Sequence, residues 1–78
     1  MSETTLAALP PRADARVLRL TTGGEMRRRL LDIGLTPGTA VRALYRSRGG
    51  GLTAYRIRGA VVALRKADAQ TVLVRRLP

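Results

Sequence analysis

The run RRRLLDIGLTPGT at residues 27–39 predicts a helix that ends at a glycine, followed by a tight turn that begins a strand. Met26, Leu30 and Ile33 recur at helical spacing, with Leu31 beside them, and form one apolar stripe. The other side of the predicted helix carries three consecutive basic residues, Arg27, Arg28 and Arg29. We therefore expect helical periodicity to change to β-strand alternation at this corner.

The turn chemistry of the corner depends on two glycines and a proline. Gly34 lies where a helix needs a left-handed residue, and in a Schellman motif Leu35 would pack on Leu30. In the TPGT that follows, Pro37 sets φ at the second position of a type II turn, and Gly38 supplies the positive φ of the third. We therefore interpret Leu30, Gly34, Pro37 and Gly38 as structural residues.

The segments outside this corner are short and alternate between apolar and polar residues. They predict five strands, at residues 15–20, 39–46, 53–58, 60–65 and 71–76. Residues 58–59 suit a two-residue hairpin and residues 66–70 a single helical turn, whereas residues 1–5 are expected to fray. The pattern predicts a mostly β fold with one main α-helix, namely a small SH3-like barrel of about five strands and not an OB-fold.

Alternation along the strands predicts which side chains share a face. In the first strand, Leu18 and Leu20 should point one way, with Val17 and Arg19 pointing the other. In later strands the two aromatic residues, Tyr45 and Tyr55, are both expected to point inward.

Two polar interactions are predicted on the helix. Thr22 and Glu25 have the spacing of a capping box at its start. Arg28 and Asp32 lie one turn apart and could form an ion pair.

The composition excludes several kinds of active site. The 78 residues include no cysteine and no histidine, which removes thiol chemistry, the commonest metal ligand and the commonest general base. The carboxylates do not pair at helical spacing; they are Glu3, Asp14, Glu25, Asp32 and Asp68. We therefore expect a single domain, residues 1–78, that is not an enzyme and has no catalytic residue, cofactor or metal site.

The net charge of +10 favours an acidic partner. The fifteen basic residues, all arginine except Lys66, are spread over every predicted element. With both tyrosines expected inside, there is no stacking platform, so no specific nucleic acid is expected. A small basic nucleic-acid-binding barrel remains the alternative function. The oligomeric state is left open, homo-oligomers included.

Three runs of this chain resemble the FeoA family, the small ferrous iron transport protein A. They are TLAAL at residues 5–9, RRRLLDIGLTPGT at residues 27–39 and VVALRKADAQTVLV at residues 61–74. The most specific part is the pattern R-x-L-x-x-x-G-x-x-P-G-[ST], which runs from Arg28 to Thr39.

The resemblance implies an SH3-like barrel that acts beside FeoB, the membrane transporter of Fe(II) with a cytosolic GTP-binding domain. A related domain lies at the C-terminus of DtxR-type repressors. The implied function is that of an accessory protein that binds the GTPase part of FeoB and supports or regulates iron import. Residues 1–9 lack the features of a signal peptide, and no apolar run is long enough to span a bilayer, so we expect a cytoplasmic protein. Recruitment to the inner face of the cell membrane is compatible with this location.

Five residues are candidates for the partner surface: Arg27, Arg28, Arg29, Leu31 and Leu35. The arginines could dock on an acidic patch of the GTPase domain, or one of them could enter the GTP site as a finger. They could equally form a solvated helix face. Leu31 and Leu35 could line a cleft between the helix and the barrel, or belong to the core.

Overall fold

Six strands form one antiparallel sheet in the computed structural model, which describes residues 2–78. The spatial order of the strands is β1-β6-β2-β3-β4-β5, so β1 and β5 are the edges. The mostly β architecture with one main helix is as predicted. The elements are β1 (Ser2–Thr5), a 3₁₀ turn (Leu6–Ala8), β2 (Asp14–Leu20), α1 (Gly24–Asp32), β3 (Ala40–Arg46), β4 (Leu52–Ile57), β5 (Ala60–Arg65), α2 (Lys66–Ala69) and β6 (Val72–Arg76).

The corner between α1 and β3 contains both expected turns. The Gly34 N–H donates to the Leu31 carbonyl at 3.0 Å and the Leu35 N–H donates to the Leu30 carbonyl at 3.0 Å, which is the hydrogen-bond pair of a Schellman motif. Gly34 has φ +109°. In the next turn the Thr39 N–H donates to the carbonyl three residues earlier at 3.0 Å, and Gly38 has φ +90°. The chain therefore reverses within six residues of the helix end.

The first strand was not predicted, and the expectation that residues 1–5 fray is wrong for residues 2–5. Ser2–Thr5 pairs with β6 along its whole length. Leu6 and Leu9 follow it immediately and are buried in the core, so they hold the strand against the edge of the sheet. A short polar edge strand carries no apolar alternation, which is why the sequence pattern did not reveal it. Met1 lies outside the described residues.

Two β-bulges overturn the predicted orientations in β2 and β3. The register shifts between Val17 and Arg19, so Val17 and Leu20 are both buried although alternation places them on opposite faces. It shifts again between Ala43 and Tyr45, so Ala43 is buried whereas Tyr45 is 64% exposed. The expectation that Tyr45 points inward is therefore wrong, because one extra residue reverses every side chain beyond it.

The predicted capping box and ion pair of α1 are also absent from the part of the chain that the structure describes. The helix begins at Gly24 with Gly23 as its N-cap and no side-chain cap, so Glu25 falls one position too early to complete a box with Thr22. The ion pair within 4.0 Å in residues 2–78 is Arg42–Asp14, not the predicted pair within the helix.

The core is aliphatic apart from one tyrosine. Tyr55 is 1% exposed, and its hydroxyl donates to the Leu6 carbonyl at 3.1 Å. The Arg46 guanidinium donates to the Leu9 carbonyl at 3.0 Å, so the 3₁₀ turn is held from both sides. The largest side chains under 2% exposed are Tyr55, Leu6, Leu9, Leu30, Leu35, Ile57, Val17, Val72 and Val74.

Tyr55 is expected to make the stability of the protein sensitive to alkaline pH. Burial raises the pKa of Tyr55 above 10.0, and the hydrogen bond with Thr53 and the charge of Arg46 offset part of that rise. The folded state therefore favours the protonated phenol. This contribution to the free energy of unfolding is intact below pH about 10 and is lost as the pH rises through the folded-state pKa.

Urea unfolding of the wild type and Tyr55→Phe measures this contribution. At neutral pH the variant should be less stable by about 1 kcal/mol, because it lacks the hydroxyl that bonds to Leu6. Above pH about 10 the wild type should lose stability and the gap should close. A gap that stays constant to pH about 11 would show that the phenol does not ionise differently in the two states.

Candidate partner-binding surfaces

The polar face of α1 presents the three predicted arginines to solvent. Arg27, Arg28 and Arg29 are all exposed, and none lies within 4.0 Å of a carboxylate oxygen of residues 2–78. They occupy successive positions of a helix, so they point away from the axis over a wide arc. A planar guanidinium with free donors can bind a carboxylate through two parallel hydrogen bonds. This face is therefore suited to an acidic partner.

A shallow groove runs along one side of that face. It is lined by Gly24, Arg27, Arg28, Leu31 and Asp32. Leu31 is half-buried and packs against the core cluster with part of its side chain. The structure thus brings Leu31 together with two of the arginines, which gives the surface an apolar floor beside cationic groups.

Leu35, the fifth candidate, does not belong to this surface. It is 0% exposed and lies in the core cluster. A partner could reach it only if the corner opened. The prediction that Leu35 contacts a partner is therefore corrected, because the Schellman motif folds Leu35 back under the helix end.

A second cleft lies between α1 and the edge strand β5. Arg29 and Asp68 flank it, and apolar side chains form most of its lining: Met26, Leu30, Ile33, Val62 and Leu64. Met26, Ile33 and Val62 are only partly buried. The sequence had marked Met26 and Ile33 as members of the apolar stripe, but it did not show that β5 leaves part of that stripe open.

A pocket beside the 3₁₀ turn has polar groups that are already bound. Arg46, Lys66 and Tyr55 line it together with Ala7, Gly49, Gly50 and Thr53. The Arg46 guanidinium is bonded to the carbonyls of Ala7 and Leu9, and the Tyr55 hydroxyl is bonded to Leu6. These groups hold the turn to the sheet, so we give the pocket a structural role.

The described residues offer no set of metal ligands. No three of their carboxylates gather into a group that could hold an ion, and the sequence has neither histidine nor cysteine. Transition metals such as iron and zinc prefer imidazole and thiolate ligands, so the residues present do not fit a resident metal. None of the described helices is long and apolar enough to cross a bilayer.

Comparison with known proteins supplies the family. A sequence profile described as "FeoA domain" matches residues 4–76. Comparison with curated proteins finds no match. A FeoA-like protein from Clostridium acetobutylicum is 26% identical and superimposes with a TM-score of 0.91, covering 100% of this chain and 91% of that one.

Two further solved structures extend the comparison. FeoA of Stenotrophomonas maltophilia, described as complexed with zinc and as a prokaryotic SH3 domain protein, is 28% identical over 91% of this chain and 88% of its own, with a TM-score of 0.82. A manganese-dependent transcriptional repressor is 26% identical with a TM-score of 0.88; the match covers 99% of this chain and 42% of the repressor. The fold is therefore the predicted SH3-like one, and the chain belongs to the FeoA family.

Proposed function

We propose that this protein is a non-enzymatic accessory protein of ferrous iron uptake that binds the cytosolic GTPase part of a FeoB-type transporter. The FeoA domain match and the similar solved structures suggest a role in ferrous iron transport. The partner and the mode of action are the proposed part. Fe(II) is then the cargo of the transporter, and the protein acts in the cytoplasm at the inner face of the membrane.

The observation that carries the proposal is the polar face of α1. Arg27, Arg28 and Arg29 have no carboxylate oxygen within 4.0 Å in the part of the chain described, and the first two stand beside the half-buried Leu31. Solvent-exposed arginines on a helix contribute little to stability, since even an exposed ion pair is usually worth under about 1 kcal/mol. Arginine is instead enriched among interface hot spots, and the half-buried Leu31 adds apolar area that a partner could cover. Docking therefore accounts for this surface better than solvation does.

The same geometry argues against an arginine finger. A finger must extend from a loop into the nucleotide site of the partner. The three arginines are held on a helix whose opposite face, including Leu30, is packed in the core. We therefore propose that the arginines position the GTPase domain and do not stabilise its transition state.

Calorimetric titration against the cytosolic domain of the cognate FeoB tests this assignment. Reversal of Arg27, Arg28 and Arg29 to glutamate should weaken binding at least about tenfold, because each lost charge-assisted contact is replaced by repulsion. The GTPase domain should be tested without nucleotide, with GDP and with a non-hydrolysable GTP analogue.

The matched control reverses three exposed arginines elsewhere: Arg19, Arg48 and Arg76. It changes the net charge equally, so it should leave the affinity within about threefold if the contact is local. Equal losses of affinity in both variants would show that overall charge, and not a local contact, causes the effect. No binding in any nucleotide state would contradict the proposed partner.

A further inference from the structure

The three large apolar side chains that are exposed in residues 2–78 all lie on one side of the sheet. Tyr45 is 64% exposed, Val61 55% and Leu52 42%. They come from three different strands, β3, β5 and β4. Single exposed apolar residues are ordinary on protein surfaces, so the case for a site depends on what shares this face with them.

The strand register shows why they share a face. Tyr45 pairs with Ala54, and Ala54 pairs with Ala63, so these residues form one row across β3, β4 and β5. Leu52 lies two residues before Ala54 on the same strand and Val61 lies two residues before Ala63, so both point to the same side. Ala54 is 6% exposed yet lies outside the core cluster, as expected for a small residue covered by its neighbours on the outer side.

Three arginines lie on the same face. Arg65 pairs with Leu52, and Arg56 pairs with both Val61 and Arg42. We name the group Tyr45, Leu52, Val61, Arg42, Arg56 and Arg65 the outer face of β3–β5. Within residues 2–78, the ion pair that involves this group joins Arg42 to Asp14 on the neighbouring strand β2. The Asp14 carboxylate oxygen lies 4.0 Å from the Arg42 guanidinium.

The direct pairing of Arg42 with Arg56 is unfavourable for folding. Like charges directly opposite each other on neighbouring strands destabilise a sheet. An anionic partner would relieve this repulsion. A second copy of this chain would not, because it would bring the same arginines together.

The apolar residues indicate which kind of anion fits. A single-stranded nucleic acid gains from stacking on aromatic rings, and this face offers only Tyr45, since Tyr55 is buried. Leu52 and Val61 gain from leaving water and not from stacking. The polar–apolar boundary of a bilayer offers phosphates and an apolar layer at once, and tyrosine is enriched there.

We propose that the outer face of β3–β5 binds the surface of an anionic lipid bilayer. Tyr45, Leu52 and Val61 enter the boundary between headgroups and acyl chains. Arg42, Arg56 and Arg65 lay their aliphatic stems along this apolar patch and direct their guanidinium groups to lipid phosphates. This contact does not depend on FeoB, and it would keep the protein at the membrane that holds the transporter.

Flotation with vesicles of phosphatidylcholine, with and without about 30% phosphatidylglycerol, tests the proposal with the full chain. The wild type should float with anionic vesicles at about 0.05 M salt and not with neutral ones. A variant with Tyr45→Ser, Leu52→Gln and Val61→Thr keeps the net charge and should lower the vesicle partition coefficient at least about tenfold. Thermal unfolding monitored by circular dichroism checks that this variant folds.

A second pair of variants separates the face from overall charge. Arg56→Gln with Arg65→Gln should lower the partition coefficient by roughly 25-fold, at about fivefold per arginine. The charge-matched control, Arg27→Gln with Arg28→Gln on α1, should lower it less than about threefold.

Three results would overturn the proposal. The first is an equal loss of the partition coefficient in both arginine pairs, and the second is an unchanged partition coefficient in the apolar variant. The third is absent vesicle binding while a single-stranded oligonucleotide stays bound at about 0.2 M salt. The last result would assign the face to nucleic acid. The apolar variant should bind FeoB with unchanged affinity, because its substitutions lie outside the α1 surface. The lipid proposal and the proposed function can therefore fail independently of each other.

Discussion

Leu35→Ala should lower the free energy of unfolding by about 3 kcal/mol. The side chain is 0% exposed and packs in the core cluster, so its removal costs both the transfer free energy and a cavity. A protein of 78 residues has a total stability of about 4–12 kcal/mol, so the loss is a large share of it. The midpoint of thermal unfolding should fall by roughly 12–24 °C.

Leu31→Ala is the matched control for this substitution. Leu31 is half-buried, so the same truncation should cost only about 1 kcal/mol and should instead weaken binding to FeoB. Folded Leu35→Ala should bind FeoB with unchanged affinity. A loss of affinity in folded Leu35→Ala, together with a stability loss below about 1 kcal/mol, would return Leu35 to the partner surface.

Gly34→Ala should also destabilise the protein by about 3 kcal/mol. Gly34 has φ +109°, a conformation that side chains strongly disfavour, at a cost of about 1–3 kcal/mol. The added Cβ would lie 2.9 Å from Arg58 Cδ and 3.2 Å from Ile57 Cγ2. Arg58 can move, but Ile57 is buried, so its shift disturbs the core and adds a further cost.

Gly38→Ala separates the two parts of that cost. Gly38 has φ +90°, yet a Cβ added there would meet nothing within 4 Å. Only the backbone strain should remain, about 1–2 kcal/mol. Urea unfolding of both variants gives the comparison. Equal losses would mean that the contact with Ile57 costs nothing, and a neutral Gly34→Ala would contradict the assigned helix stop.

The two proposed surfaces are formed by different elements, because one lies on the exposed side of α1 and the other is the outer face of β3–β5. Val62 and Leu64 line the cleft against α1, whereas Val61 and Arg65 belong to the outer face. Alternate residues of a strand point to opposite sides, so a contact with FeoB through α1 leaves the outer face free. The protein could therefore contact the GTPase domain and a bilayer at the same time.

The local parts of this fold could be predicted from the sequence because their causes are local. Gly34, Pro37 and Gly38 meet backbone requirements that few other residues meet, so they identify the helix stop and the type II turn. The three arginines of α1 were also predicted to be exposed, because the helical period separates them from the apolar stripe.

The bulges, the edge strand and the open surfaces were decided by the tertiary structure. A bulge is a property of two paired strands. Nothing in the sequence around Tyr45 indicates that β3 has one extra residue between its pairs with Tyr55 and Ala54 on β4. Ser2–Thr5 is a strand because β6 offers it an edge to pair with.

The sequence by itself therefore determined the family, the fold class and the corner at residues 27–39, since these depend on residue identity and short spacings. Only the tertiary structure determined that Tyr45 is exposed, and that Tyr45, Leu52 and Val61 share a face with Arg42, Arg56 and Arg65. The reason is that burial and shared faces depend on which segments pair, and pairing is a non-local choice that local periodicity does not encode.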